Sequence, residues 1–412
     1  MRMTSRVNRS VSAIFNRAEA NIATATEPAT TPHSAARNDA LPPPAAPSRL
    51  LSLDVFRGLT IAGMILVNNP GSWSAIYWPL AHAEWHGWTP TDLIFPFFLF
   101  IVGVSMALSF AGRTKRGDTR TALLRHAVIR SALIFAIGLA MAGFPYYRLA
   151  TIRIPGVLQR IAVCYLFASL ALLFLKRRGI ILTVALLLLG YWALMALVPV
   201  PGFGTGRLDV DGNLAAYVDR QVLLGHIWKP TWDPEGILST LPAIATALLG
   251  TLLGQFLLAK PSPRDAVRTM LLWGAAGLAA GQLWHFVFPI NKNIWTSSYV
   301  IFTAGFALVI LGLCYWVIDV KGWRAWAAPF VWYGMNPLAL FVFSGLLARM
   351  MGIWRATNSA GQSVSLKAYI YDSFFVPLAS AKNASLLFAL AYVAFWLALA
   401  FVLYRRKIFI KI

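Results

Sequence analysis

The stretch LDVFRGLTIAGMILVNN, residues 53–69, decides what kind of molecule this is. It carries one acid and one base, Asp54 and Arg57, near its start and then stays apolar as far as Asn68 and Asn69. A helix crosses a bilayer core with about 20 apolar residues, so this segment is long enough to span once it is slightly extended at its ends. Asp54 and Arg57 stand three apart, which puts them on one helical face and lets them pair. Pairing is expected, because an isolated charge at the centre of a span costs about 2.5–3.5 kcal/mol on insertion scales. Near a helix end the cost falls, since Arg57 can snorkel toward the headgroups.

Outward from this segment the same pattern recurs, at 93–111, 127–144, 156–175, 180–198, 237–258, 270–288, 297–318, 327–348 and 385–404. Together with 53–69 these make ten candidate spans. The whole chain of 412 residues is 58% hydrophobic and only 12% charged. A soluble domain devotes about a quarter of its residues to charge, so an ordinary water-facing protein is excluded. The charge is also lopsided, with 36 Lys and Arg against 15 Asp and Glu. In a soluble chain that would suggest nucleic acid. Here basic loops beside a bilayer explain it, so the expected partner is lipid and no nucleic acid is expected.

The loops test the count, since Lys and Arg should fall on alternate sides. Arg49, the run from Arg113 to Arg125, Lys176-Arg177-Arg178, Lys260 to Arg268, Lys321 with Arg324, and Arg405-Arg406-Lys407 all lie on one face. The intervening loops, 70–92, 145–155, 199–236, 289–296 and 349–384, are poorer in basic residues, and the first has none. The expected fold is therefore an all-α integral membrane bundle of about ten transmembrane helices, with both termini cytoplasmic. Residues 49–406 would form it. Residues 1–48, rich in Ala, Ser, Thr and Pro with scattered arginines, read as a disordered tail. Cys164 and Cys314 sit in apolar runs and form neither a disulfide framework nor a metal-ligand spacing, so no metal is expected.

The outer loops are long and carry the chemistry. After Asn68-Asn69-Pro70-Gly71 comes His82-Ala83-Glu84-Trp85-His86-Gly87-Trp88-Thr89-Pro90-Thr91-Asp92, which packs two imidazoles and two carboxylates between two spans. An imidazole takes and returns a proton near neutral pH, and interfacial Trp side chains can shield it from water. The bland alternative is an aromatic-belt loop that is polar because it leaves the bilayer. Arg153 and Arg160 open the fourth span, Asp233 and Glu235 precede the sixth as expected caps, and Asn291-Lys292-Asn293 joins the seventh to the eighth. Capping accounts for the acids. It leaves Arg153, Arg160 and Lys292 gathered where positive charge is otherwise scarce, which a phosphate-bearing ligand would explain. Asn336, in Gly334-Met335-Asn336-Pro337, lies inside the ninth span, where an amide bonds another helix or a ligand.

Taken in order, Arg49-Leu50-Leu51-Ser52-Leu53-Asp54-Val55-Phe56-Arg57-Gly58, the block from His82 to Pro96, the stretch from Arg153 to Arg160, and Asn291-Lys292-Asn293 resemble the heparan-α-glucosaminide N-acetyltransferase family, whose bacterial members are NagX-type membrane proteins. The resemblance runs from Arg49 to about Arg406. It implies a multi-spanning acyltransferase that moves acetyl from acetyl-CoA to the amino group of a terminal glucosamine. It also implies that His82 is the active-site histidine and that Asn68 belongs to the same site. The long luminal domain that precedes the first span in the animal enzyme is missing from this sequence, and the stretch between Asn68 and His82 is longer. Both differences point the acceptor toward a bacterial cell-envelope or chitin-derived hexosamine, in the bacterial inner membrane.

Such a transfer needs a base for the ammonium and a donor for the oxyanion. His82 can act as general base or can itself carry acetyl as an acyl-imidazole. Asp92 or Glu84 is near enough to orient the ring, Asn68 can donate to the oxyanion, and Arg153, Arg160, Lys292 and Asn291 are the candidate contacts of the CoA phosphates. The competing reading is an amino-sugar transporter using the same polar residues near the midplane. A homo-oligomer is compatible with either.

Overall fold

A computed structural model describes residues 50–410 of the chain. The tail expected over residues 1–48 lies outside them. Among the described residues thirteen α-helices run α1 Leu51–Asn68, α2 Ile94–Lys115, α3 Arg120–Gly143, α4 Val157–Phe174, α5 Arg177–Leu197, α6 Leu214–Leu223, α7 Thr240–Leu258, α8 Pro263–His285, α9 Ser297–Cys314, α10 Ala328–Met335, α11 Pro337–Ile353, α12 Leu366–Ile370 and α13 Ala381–Arg405. Among the described residues the only sheet is a two-stranded hairpin, β1 Arg355–Thr357 paired antiparallel with β2 Ser363–Ser365. The protein is an all-α membrane bundle.

Among the described residues eight helices are long and apolar enough to cross a membrane, and the bent pair α10 with α11 makes a ninth when it is taken as one span. The seventh expected span corresponds to α8, which has 23 residues but is less apolar, opening with Arg264, Asp265 and Arg268. Large apolar side chains cover the periphery: Leu182, Leu186 and Leu189 of α5 and Leu272, Trp273 and Leu283 of α8 are all exposed. In water such a surface would aggregate, whereas in lipid it is the ground state.

Inside, helices meet through small residues, as expected where lipid tails remove any hydrophobic advantage of association and close backbone contact supplies it instead. A Cβ added to Gly103 of α2 would stand 1.9 Å from the Ala247 carbonyl oxygen of α7, and one on Gly250 of α7 would stand 2.0 Å from the Phe100 carbonyl oxygen. The fit is reciprocal. Leu99, Phe100, Ile101 and Val104 are consequently buried to within 1% at the centre of the bundle.

The expected ninth span is broken. Asn336 leaves helical geometry at φ −128° and Pro337 starts a new helix, so α10 and α11 meet at 73°. Pro337 lacks the N–H that would continue α10. The Asn336 amide does bond another segment, donating to the Ile408 carbonyl at 3.0 Å and accepting from the Ile410 N–H at 2.8 Å, so it ties the break to the chain that follows α13. The first-span ion pair is present, with Arg57 donating to Asp54 at 3.1 Å and also to the Gly334 carbonyl and the Ser105 hydroxyl.

Candidate functional site

The loop between α1 and α2 is fixed by one carboxylate. Pro90–Leu93 forms a short turn of 3₁₀ helix that leads into α2, with Pro in its first turn and Thr89 as its N-cap. Asp92 closes a capping box by accepting the Thr89 N–H at 3.1 Å. The same Oδ2 accepts the Ala83 N–H at 3.0 Å and the Thr89 hydroxyl at 3.1 Å. Oδ1 faces the other way, 2.6 Å from His82 Nδ1. The Asp92 side chain is 1% exposed and that of His82 is 45% exposed, so the pair is anchored on one side and open on the other. Sequence left Asp92 and Glu84 as alternatives for orienting the ring; the hydrogen bond is to Asp92, while Glu84 is exposed.

A carboxylate that accepts so many donors is held as an anion, so the proton in the 2.6 Å contact belongs to Nδ1. That assigns the tautomer. Nε2 then carries the lone pair, as required of a base or an acyl carrier, on a ring that is 45% exposed.

The 289–296 loop completes the site. Lys292 Nζ lies 3.4 Å from Asp92 Oδ1 and 2.9 Å from His82 Nδ1. Burial lowers the Lys292 pKa from that of an ordinary lysine, against the opposing pull of Asp92 and Glu235. Its neighbour Asn291 is buried and shapes the loop, accepting the Ile294 N–H at 3.1 Å and lying 3.3 Å from His86 Nδ1. The Gly87 N–H donates to the Ile290 carbonyl at 2.8 Å, so the two loops are joined through the main chain. Beneath them the Tyr299 hydroxyl of α9 donates to the Asp92 carbonyl at 2.5 Å. Sequence reading missed Tyr299, which looks like one more aromatic in an apolar run, and Thr89, which looks like an ordinary cap.

Arg153 and Arg160 take a different place from the one expected. Arg153 forms two hydrogen bonds with Asp233, at 2.8 and 2.6 Å, and a third with Glu235. Burial alone would lower its pKa, but these two carboxylates raise it well above the usual value. Asp233 and Glu235 thus hold a guanidinium instead of capping a helix; α7 begins only at Thr240. Arg160 is 2% exposed, bonds the Gly236 carbonyl and the Ser239 hydroxyl, and stacks over Trp295 at 5.0 Å. Its Nε and Nη1 have no partner among the described residues. Trp295 in turn packs edge-on against Tyr299 at 5.3 Å, which links Arg160 to the Asp92 anchor through two rings. Asn68, the last residue of α1, is exposed, and no hydrogen bond joins it to His82. The adjacent Asn69 is buried and bonds back to the Ile65 carbonyl.

A row of indoles joins the His82 loop to the next long loop. Trp85 donates to the Leu208 carbonyl at 2.8 Å and packs edge-on against Trp232, which meets Trp228 in the same manner. The long 199–239 loop, with α6 inside it, therefore packs against the His82 loop, so these two long loops form a structured surface.

Comparison with known proteins follows the same residues. The family model for the catalytic region of heparan-alpha-glucosaminide N-acetyltransferase matches residues 49–279. A protein of Homo sapiens named heparan-alpha-glucosaminide N-acetyltransferase is 33% identical over 89% of this chain and 60% of its own length. The Mus musculus protein of the same name is 31% identical over 89% of this chain and 61% of its own. This chain thus spans about 60% of the length of those relatives. With more than half of its residues matched by the family model, the protein belongs to the heparan-alpha-glucosaminide N-acetyltransferase family.

Proposed function

We propose that this multi-pass membrane protein is an acyltransferase that moves acetyl from acetyl-CoA to the amino group of a glucosamine-type sugar, with His82 as the reacting group. The observation that carries the reading is the 2.6 Å contact that fixes the His82 tautomer through a buried Asp92, in a chain whose family model is that of a catalytic region. An acetyl thioester is already activated, but an ammonium is no nucleophile. His82 Nε2 either removes the amine's proton during direct attack or accepts acetyl itself and passes it on. Asp92 stabilises the imidazolium that forms in the first route and the acylated ring in the second.

Asn68 is the proposed donor to the oxyanion, a role in which one hydrogen bond contributes about 2.7–4 kcal/mol. Among the bases expected to bind the CoA phosphates, Arg160 keeps unpaired N–H groups, whereas Arg153 is neutralised by two carboxylates and serves to hold the 199–239 loop in place. Asn291 supports the ring of His86 and the turn that presents Lys292. The proposed acceptor is a bacterial cell-envelope or chitin-derived hexosamine, and the proposed location is the bacterial inner membrane, with His82 on the outer side.

Purified protein given labelled acetyl-CoA and glucosamine should yield labelled N-acetylglucosamine. His82→Ala should abolish the product and leave the thermal unfolding curve in place. Undiminished product from His82→Ala would remove that residue from the mechanism. Sugar uptake into protein-bearing vesicles without acetyl-CoA would favour a carrier instead.

A further inference from the structure

Lys292 is placed for chemistry and not for gripping a phosphate. Its Nζ stands 2.9 Å from His82 Nδ1, 3.4 Å from His82 Nε2 and 3.4 Å from Asp92 Oδ1. An ammonium has only donors, and Nδ1 already spends its proton on Asp92, so the 2.9 Å approach to Nδ1 is not a hydrogen bond. The electrostatic partner of the ammonium is the carboxylate. Asp92 thereby holds Nζ against the ring, 2.9 Å from Nδ1 and 3.4 Å from the Nε2 that carries the free lone pair.

An acyl carbon bonded to Nε2, or one attacked by an amine hydrogen-bonded to Nε2, carries its oxygen within about 3 Å of that nitrogen. Nζ stands 3.4 Å from Nε2, so part of that volume lies within its hydrogen-bond reach. We propose that Lys292 is a catalytic residue of the acetyl transfer, its ammonium donating a hydrogen bond to the oxyanion that develops on the thioester carbonyl beside His82 Nε2. The inference rests on the acetyltransferase reading and assigns Lys292 a role at the reacting carbon in place of the donor's phosphates.

The electrons and protons balance in both routes. In direct transfer the amine loses a proton to Nε2 and forms the N–C bond, and the carbonyl π pair moves onto oxygen, where Lys292 shares but keeps its proton. The pair then returns, the C–S bond breaks, and the thiolate takes the proton from His82. In the acyl-imidazole route the first bond is Nε2–C and the thiolate leaves as the anion. The amine then displaces the imidazole, and its proton goes to that thiolate. At each oxyanion the Lys292 ammonium offsets the new negative charge while Asp92 offsets the cationic ring. A phosphate ligand would compete with Asp92 for the ammonium, which the carboxylate holds against the ring at 3.4 Å. Burial, which lowers the lysine pKa, also makes its N–H a stronger donor to a developing charge.

The test compares Lys292→Met and Lys292→Arg with the intact protein on two donors, acetyl-CoA and acetyl-pantetheine, the second lacking the nucleotide phosphates. Loss of one oxyanion donor lowers kcat by about 100-fold or more. Lys292→Met should show that loss on both donors, with little change in KM, and Lys292→Arg should recover a measurable part. The charged groups facing Lys292 are His82, Asp92 and, further off, Glu235, and a guanidinium keeps its charge where an ammonium with a lowered pKa gives it up. The alkaline fall in kcat should accordingly disappear in Lys292→Arg, a change that a packing role would not produce. A raised KM for acetyl-CoA, with kcat intact and acetyl-pantetheine turned over normally, would overturn the proposal. So would a kcat within threefold of the parent in Lys292→Met. Failure of the wider reading looks different: the parent protein itself would acetylate no amine from either donor, or His82→Ala would match it.

Discussion

Asp92 does two jobs with one carboxylate, and they can be separated by substitution. Oδ2 holds the loop through the Ala83 and Thr89 N–H groups, and Oδ1 orients His82. Asp92→Asn keeps an acceptor for the loop but places a neutral amide against the ring, which destabilises the imidazolium and permits the wrong tautomer. We expect kcat to fall by about 10²–10⁴-fold, with KM for acetyl-CoA nearly unchanged, by analogy with the loss when a catalytic histidine's orienting carboxylate is neutralised. A loss confined to KM would mean that Asp92 only shapes the loop. Both residues were legible in the sequence as members of a polar block, because imidazole and carboxylate side by side at a membrane edge are costly without a purpose. The choice of Asp92 over Glu84 was not, since it depends on a turn bringing position 92 back to position 82.

A second acid reports on pH. Asp219 of α6 is pushed up to about 7, first by burial and further by Asp233, against the Ile237 N–H and Arg160, which lower it. Its folded-state pKa is therefore above that of the unfolded chain. Between roughly pH 4 and 7 the folded form binds more protons, so Asp219 makes the protein more stable as pH falls, by about 1.4 kcal/mol per unit, and this contribution is lost as pH rises through 7. Unfolding temperature measured in detergent at pH 5 and pH 7 should show this slope as a difference between the parent protein and Asp219→Asn. Identical slopes in the two would rule out a titrating Asp219.

At the scale of elements, close backbone contact is the recurring device. Gly103 and Gly250 each face a carbonyl of the opposing helix, so α2 and α7 cannot keep their separation if either residue gains a methyl group. Gly103→Ala or Gly250→Ala should lower stability by about 1–3 kcal/mol, the ordinary cost of overpacking. Because both substitutions push the same pair of helices apart, the double variant should cost less than the sum. Thermal unfolding of the three variants checks both statements, and strict additivity would show that the contacts are independent. The Arg153 clamp adds another test: the Asp233 side chain is fully buried, and Asp233→Ala leaves the guanidinium with Glu235 alone, a loss expected at about 1–3 kcal/mol. The sequence showed where helices would be, since a run of apolar residues has few other solutions in lipid. It misplaced Asp233 and Glu235 as caps and missed the break at Asn336. Acids before a helix read as dipole partners, and a proline inside an apolar run leaves length and hydropathy unchanged.

For the whole molecule, the decisive question is whether α8 crosses the membrane. Composition alone supports nine crossings, counting the bent pair once. An odd number would put the two termini on opposite sides. The site bears on α8 directly, because α7 begins beside Arg160 and ends at the basic 260–268 loop, whereas Lys292, after α8, contacts His82. With α7 across the bilayer, Lys292 reaches the His82 side only when α8 returns across it, so with the bent pair taken as one crossing the expected number is ten. Single cysteines provide the check, and the native Cys164 and Cys314 are buried and should stay silent. In intact cells, a membrane-impermeant maleimide should label Trp73→Cys and Asn293→Cys. Arg116→Cys and Arg264→Cys should react only after permeabilisation. Labelling of positions 264 and 293 from the same side would mean that α8 lies along the membrane instead of crossing it, and the contact between Lys292 and His82 could not then form in the bilayer.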